Sequence, residues 1–365
     1  MYFDRQQQGG GVEVSSEDMT KSADPAMNHE APESLERWLS ANLPDYRGPA
    51  TLEKCGFGQS NPTFVLECAS GKYILRRKPL GKLLPKAHQI EREYKVMKAL
   101  DGSPVPAPRA IALCEDPEVL GAAFYIMEFV EGRIFYDQTL PGMTAEERNA
   151  IFYGMNDAVA ALHSVDPVEV GLADYGRSEG FIARQVALWT KQYRAAEGEQ
   201  RNEAMEKLIE WLPENLPPEQ PGRIFHGDLR LDNMVFHPTE PRVIALLDWE
   251  LSTLGDPLAD FAYHMMVWRV PRDVFRGLSD LDFAATGIPE EAEYIARYCE
   301  KIGRDELPHW EFYLAFSLFR IAAILQGVWQ RSQTGQASAE DSEEVGLKAI
   351  PLSEIGWQIA SSKAG

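Results

Sequence analysis

Residues 226–260, HGDLRLDNMVFHPTEPRVIALLDWELSTLGDPLAD, constrain this chain more than any other stretch. Asp228 stands five residues before Asn233. A short apolar run, the turn-rich HPTEPR and a second run, VIALLD, then lead to a further aspartate, Asp248. Two apolar runs around a turn predict a hairpin over residues 234–247, which returns Asn233 and Asp248 to one place. That order of groups suits phosphoryl transfer. The reaction needs a carboxylate to orient an attacking hydroxyl and accept its proton, and oxygen ligands to hold magnesium on a nucleotide's phosphates. Asp228 is the expected base, with Asn233 and Asp248 as the metal ligands. The bland alternative makes Asp228 and Asn233 ordinary turn residues.

HGDLRLDN followed by LLDWE resembles the aminoglycoside phosphotransferase family, and the resemblance covers roughly residues 51–329. It implies an α+β, bilobal protein-kinase-like fold, with a small β-rich N-lobe over residues 31–130 and a larger, mostly helical C-lobe over residues 131–365. It also implies an ATP- and Mg2+-dependent enzyme that phosphorylates a small-molecule hydroxyl, GTP not being excluded. The block is similar to the HRDxxxxN and DFG motifs of protein kinases but departs from them twice: Gly227 replaces the middle Arg, and Trp249-Glu250 replaces Phe-Gly. Only eight positions separate Asp248 from Asp256, too few for a peptide-docking activation loop, so a protein acceptor is disfavoured. Arg230 sits two residues after the base, where protein kinases carry a lysine. It is expected to stabilise charge developing on the transferred group.

Residues 51–77 read as strands with a turn at 69–71. Gly56 and Gly58 would let a hairpin approach phosphates closely, with Ser60 and Asn61 near its tip. Ile74 and Arg76 share a strand face, which in kinase-like folds puts an apolar residue under adenine and a cation on the phosphates. The family usually has Lys there; this chain offers Arg76, with Arg77 as the alternative. Residues 85–100 read as a helix with Ile90, Tyr94 and Met97 on one face. Glu93 lies on the edge of that arc, so it is paired with Arg76, while Glu91 points away. Strands follow at 109–114 and 124–130. The strand at 124–130 resembles the family's inter-lobe hinge, where backbone groups of Glu128 to Val130 would read the adenine edge.

Thr144 and Glu147 form a capping box ahead of a helix carrying Ile151, Met155, Ala158 and Leu162. His163 reads as a hydrogen-bonded structural residue. Residues 210–223, rich in proline, are expected as a loop. Asp256 suits a helix N-terminus, and with Asp260 it would either cap or brace the catalytic loop. Residues 308–330 are helical, and the acidic stretch from Ser338 is expected to be solvated.

With 36 Lys+Arg against 56 Asp+Glu the net charge is −20, which argues against nucleic acid and anionic membranes as partners. The apolar stretch 313–329 is interrupted by Arg320 and Gln326, so it is expected as a buried helix. The four cysteines show no metal or disulfide spacing, which fits a reducing cytoplasm. Residues 1–30 read as a disordered leader. No oligomeric state is set by the sequence. Within this acidic chain RRKPLGKLLPKAH concentrates Arg76, Arg77, Lys78, Lys82 and Lys86. WELSTLGDPLAD is similar to the branch of the family related to domains fused to acyl-CoA dehydrogenases. Together these favour a hydroxyacyl-CoA or hydroxy acid as the acceptor. An aminoglycoside or other small-alcohol kinase, a non-catalytic nucleotide-binding module and a nucleotidyl transferase are the alternatives.

Overall fold

Alternation of side chains builds the first lobe. In a computed structural model that describes residues 30–55, 61–81, 88–196, 202–333 and 342–362, five strands form one antiparallel sheet. They are β1 (Thr51–Lys54), β2 (Thr63–Cys68), β3 (Gly71–Arg77), β4 (Ala110–Cys114) and β5 (Phe124–Glu128), in the order β1-β2-β3-β5-β4. Phe64, Leu66, Leu75, Phe124 and Ile126 project to one face, against Leu35 and Leu39 of helix α1 (Glu33–Asn42). Ile74, Tyr125 and Met127 project to the other, against Ile90, Val96 and Met97 of helix α2 (Ile90–Leu100). The strand period of two therefore sends Arg76 to the α2 side and Arg77 to the α1 side.

Helix α2 begins five residues later than its periodicity suggests, because His88 has φ 57° and leaves the helical path. The expected leader lies outside the described residues except for Glu30, which bridges to Thr51.

The second lobe is mostly helical. After the single turn α3 (Pro117–Leu120) come α4 (Ala145–Ser164), α5 (Phe181–Ala195), α6 (Glu203–Glu214) and α7 (Pro257–Met265). The short α8 (Arg272–Phe275) and α9 (Phe283–Thr286) precede α10 (Glu291–Ile302), α11 (Trp310–Gln333), α12 (Ser342–Leu347) and α13 (Ala349–Ser361). The capping box of α4 closes in both directions, Thr144 Oγ1 accepting from Glu147 N and Glu147 accepting from Thr144 N.

One expectation needs correction. Residues 210–214 are the last turn of α6 and not a loop: Met205, Leu208 and Leu212 bury a helical stripe, and Pro213 stands one residue before the helix ends at Glu214. Glu343 and Glu344, in the first turn of α12, are exposed as expected of the acidic stretch, whose earlier residues lie outside the described part. Helix α11 is long and apolar enough to cross a membrane, yet most of it is buried, packed by α5, α6, α7, α12 and α13. That is the environment of a core helix.

The site is set on short strands beside this core. β6 (Arg223–Phe225) pairs with β9 (Thr253–Gly255), and β7 (Met234–Phe236) pairs with β8 (Val243–Leu246) as the expected hairpin. Leu247 N donates to Asn233 O at 2.8 Å, closing the hairpin where the candidate ligands flank it.

Candidate active site

The loop leaving β6 is held from behind. Asp260, fully buried on α7, accepts from the backbone N–H of His226 at 2.6 Å and of Gly227 at 2.9 Å, and also meets His163 Nε2 at 3.3 Å. Arg320 of α11 donates to Gly227 O at 2.7 Å and lies over the Tyr263 ring. His226 Nε2 donates to Leu247 O at 3.0 Å while Nδ1 accepts from Asp228 N, so one imidazole ties Asp228 to Leu247, the residue before Asp248. Burial lowers the His226 pKa, which keeps the ring in the neutral form those two bonds require.

Gly227 explains the departure from the kinase motif. Its φ is +88°, and a Cβ there would lie 3.0 Å from Leu251 Cβ and 3.2 Å from Leu251 O. Gly227→Ala is expected to lose about 1–3 kcal/mol of stability through backbone strain and to misplace the base. Unfolding in denaturant, together with turnover, checks this; a variant equal to wild type in both contradicts it.

Asp228 is supported on each oxygen. Tyr263 donates to Oδ1 at 2.9 Å and Asn233 Nδ2 to Oδ2 at 2.8 Å, while Arg230 Nε lies 2.9 Å from Oδ1. Burial alone would raise the carboxyl's pKa, but the Arg230 guanidinium and the two donated bonds outweigh it and hold Asp228 below the usual carboxylate range. The group is therefore an ionised acceptor at neutral pH. Arg230 does not stand free toward the cleft; it joins Asp228 to the buried Asp232, which Arg276 also pairs at 2.8 Å.

On the N-lobe side, Arg76 Nε lies 2.9 Å from Glu93 Oε2, and Arg76 NH2 lies 3.2 Å from Asp248 Oδ1 and 3.6 Å from Glu250. Tyr125 and Asn61 donate to the two Glu93 oxygens, each at 3.0 Å. Burial pushes the Glu93 carboxyl up to about 7 against the pull of Arg76. Arg77 instead enters the N-lobe core, donating to Leu120 O at 3.2 Å. Between the two alternatives it is Arg76 that reaches Glu93 and Asp248.

Asn61, expected near a phosphate-facing tip, is fully buried between Glu93 and His88, because a buried carboxylate requires donors. Gly56, Gly58 and Ser60 lie outside the described residues. Ile74 is buried opposite Met127. The Glu128 N–H donates to Arg109 O at 3.0 Å, so of that residue's backbone only the carbonyl could meet an adenine edge. Val130, two residues on, packs with Val235 and Leu247.

Among the described residues no group of three His, Cys, Asp or Glu side chains is poised for a metal. Asn233 uses its amide nitrogen on Asp228, which leaves Oδ1 as a cation ligand, and Asp248 keeps Oδ2. Two protein oxygens fit magnesium, which usually keeps waters and takes phosphate oxygens for the rest of its shell.

Sequence reasoning missed Tyr263, Arg320 and Arg92. Arg92, on α2, donates to Tyr175 O at 2.7 Å and Ser252 O at 3.3 Å and stacks over Tyr175, fastening the first lobe to the segment after Asp248. Each of these contacts joins residues far apart in the chain, where periodicity carries no signal. The basic run is also less available than its composition suggests. Arg76 and Arg77 are engaged as described, Lys78 pairs with Glu91, and Lys82 and Lys86 lie outside the described residues.

The sequence pattern of the phosphotransferase enzyme family matches residues 51–313. Acyl-CoA dehydrogenase family member 10 of Mus musculus is 45% identical over 334 residues, which is 91% of this chain and 31% of that relative. Family member 11 of Homo sapiens is 45% identical over 333 residues, 90% of this chain and 43% of its own length. The chain thus spans less than half the length of the curated relatives it matches. A solved Ralstonia eutropha structure named for the aminoglycoside phosphotransferases superposes with a TM-score of 0.85 at 48% identity, covering 91% of this chain and 98% of that one. A thermostable aminoglycoside phosphotransferase in ternary complex with AMP-PNP and hygromycin B superposes at 0.58 with 16% identity, covering 89% and 99%; at that identity the likeness is one of fold.

Proposed function

The chain belongs to the phosphotransferase enzyme family, and from that premise we propose that it transfers the terminal phosphoryl group of ATP to a hydroxyl of a small molecule. The observation that carries the reading is Asp228, ionised, held on both oxygens and joined through His226 to Leu247, next to Asp248. Asp228 orients the acceptor hydroxyl and takes its proton as the new O–P bond forms and the bond to the leaving nucleoside diphosphate breaks. Asn233 Oδ1 and Asp248 are the residues that would hold magnesium; when bound, the ion neutralises charge between the outer phosphates. Arg76, fixed by Glu93, supplies a permanent cation to the phosphates. Arg230, paired with Asp228 and Asp232, would have to leave Asp228 to stabilise charge developing on the transferred group.

The acceptor class proposed is a hydroxyacyl-CoA or hydroxy acid, supported by the 45% identity to two acyl-CoA dehydrogenase family members. Four free cysteines support a reducing, cytoplasmic setting. Mass analysis of products from hydroxyacyl-CoA thioesters, free hydroxy acids and aminoglycosides tests the class. Phosphorylated acyl compounds are expected, and efficient turnover of the aminoglycosides alone would overturn it.

Asp248→Ala is expected to weaken magnesium-dependent nucleotide binding about tenfold or more while leaving the fold intact, since Asp248 is a partly exposed end of the Arg76 pair. Calorimetry with and without magnesium checks it. Identical binding under both conditions, in wild type and variant alike, contradicts the metal role.

A further inference from the structure

In the run Asp228-Leu229-Arg230-Leu231-Asp232 both leucines are buried in the core, and Arg230 has an extended backbone. Alternation then turns Asp228, Arg230 and Asp232 the other way, so one guanidinium lies between two carboxylates. A carboxylate offers about four lone-pair positions. On Asp228, Tyr263 takes one on Oδ1 and Asn233 one on Oδ2. Arg230 covers the rest: NH2 donates to Oδ2 at 3.2 Å, and Nε stands 2.9 Å from Oδ1. While Arg230 stays there, the base has no open position for an attacking hydroxyl.

Of these three groups Arg230 is the one able to leave. Tyr263 is buried with Arg320 over its ring, and Asn233 Nδ2 is also bonded to Asp228 O at 2.9 Å. Arg230 is on a long stem and partly exposed. Its place on Asp228 is also incomplete, because its buried Nε, although close to Oδ1, makes no hydrogen bond among the described residues. Asp232 has the complementary defect. Its Oδ2 meets Arg276 NH1 at 2.8 Å and Arg230 NH1 at 3.5 Å, whereas its buried Oδ1 has no hydrogen-bond partner among the described residues. An orphaned donor and an orphaned acceptor thus stand on side chains already in contact, and each costs free energy that pairing recovers.

Resting on the phosphotransferase reading above, we infer that Asp232 is a positioning residue: its Oδ1 receives the Arg230 guanidinium when this leaves Asp228, and the move opens the base to the acceptor hydroxyl. The swing is short, since NH1 already lies beside Oδ2. Arg276 keeps Asp232 paired while Arg230 is on Asp228. The negative charge of a bound nucleotide competes with Asp228 for the guanidinium, so the base opens when there is a phosphoryl group to transfer. A guanidinium carries five N–H donors, so on Asp232 it retains donors for the charge developing on that group. Asp228 keeps its bonds from Tyr263 and Asn233 in both positions.

The test follows the Arg230 Nε–H signal by nuclear magnetic resonance in arginine-labelled full-length protein, the signal being the one that Arg230→Lys removes. In nucleotide-free Asp228→Asn, where no charge holds the guanidinium on the base, the signal is expected to be shifted from its wild-type position. Saturating AMP-PNP with magnesium is expected to move the wild-type signal toward that shifted position, and to leave the signal of Asp232→Asn close to where it stands without nucleotide. Calorimetry on the same samples reports whether the nucleotide is bound. A wild-type signal that stays in place with nucleotide bound, or one that moves equally in Asp232→Asn, overturns the role of Asp232 and leaves the phosphotransferase reading standing. If Asp232→Asn does not fold, the comparison of wild type with Asp228→Asn decides: an unshifted signal in nucleotide-free Asp228→Asn overturns the inference. Failure of folded wild type to bind the nucleotide at all overturns both readings.

Discussion

Asp228→Asn is expected to lower turnover by about 10²–10⁴-fold, the typical worth of a positioned general base, while nucleotide binding survives. The amide occupies the same volume and can still accept from Tyr263 or Asn233, so the framework around it should persist. It has no charge to match Arg230 and no capacity to take the acceptor's proton. Steady-state rates and nucleotide titration of the purified variant check this. Turnover near that of wild type would remove Asp228 from its role.

The second large effect is on stability. Asp260→Ala is expected to cost about 3–5 kcal/mol, because it strips one carboxylate from two buried backbone N–H groups and an imidazole. It should unfold well before wild type in a denaturant titration, and a loss under about 1 kcal/mol would contradict the assignment. The pH dependence has a defined sign. Burial tends to raise the Asp260 carboxyl, but bonds from His163 and the His226 backbone hold it below its ordinary value. Its contribution is therefore present above the ordinary carboxylate pKa and is lost as pH falls through the lowered one. In Asp260→Asn the acid limb of the stability profile should flatten.

The contrast between Asp256 and Asp260 shows what a sequence can carry. Asp256 read equally well as a cap or, together with Asp260, as a brace. In the structure Asp256 caps α7 through Leu258 N and accepts from Tyr313, whereas Asp260, one turn on, holds the loop that carries Asp228. The hairpin, its flanking Asn233 and Asp248, the placement of Ile74 and Arg76 on one strand face and the capping box of α4 were legible because each is local. Strand alternation and turn chemistry act over a few residues. Arg320, Arg92 and Tyr263 were not legible, because the groups they hold come from distant segments and nothing in their own neighbourhood marks the partner. Asn61 misled for a related reason: its place beside Gly56 and Gly58 suggested a loop tip, while the requirement of buried Glu93 for donors decided its position. Pro213 suggested a break, and α6 does end one residue after it, at Glu214.

Following the phosphoryl group itself tests the central claim most directly. Wild-type protein and Asp228→Asn would each be incubated with magnesium, a hydroxyacyl acceptor and nucleotide labelled at the terminal phosphate, and in parallel with nucleotide labelled at the first phosphate. The account predicts that only the terminal label enters the acceptor, that it does so in wild type, and that the variant loses nearly all of the transfer. Label arriving from the first phosphate, or equal transfer by the variant, would contradict it.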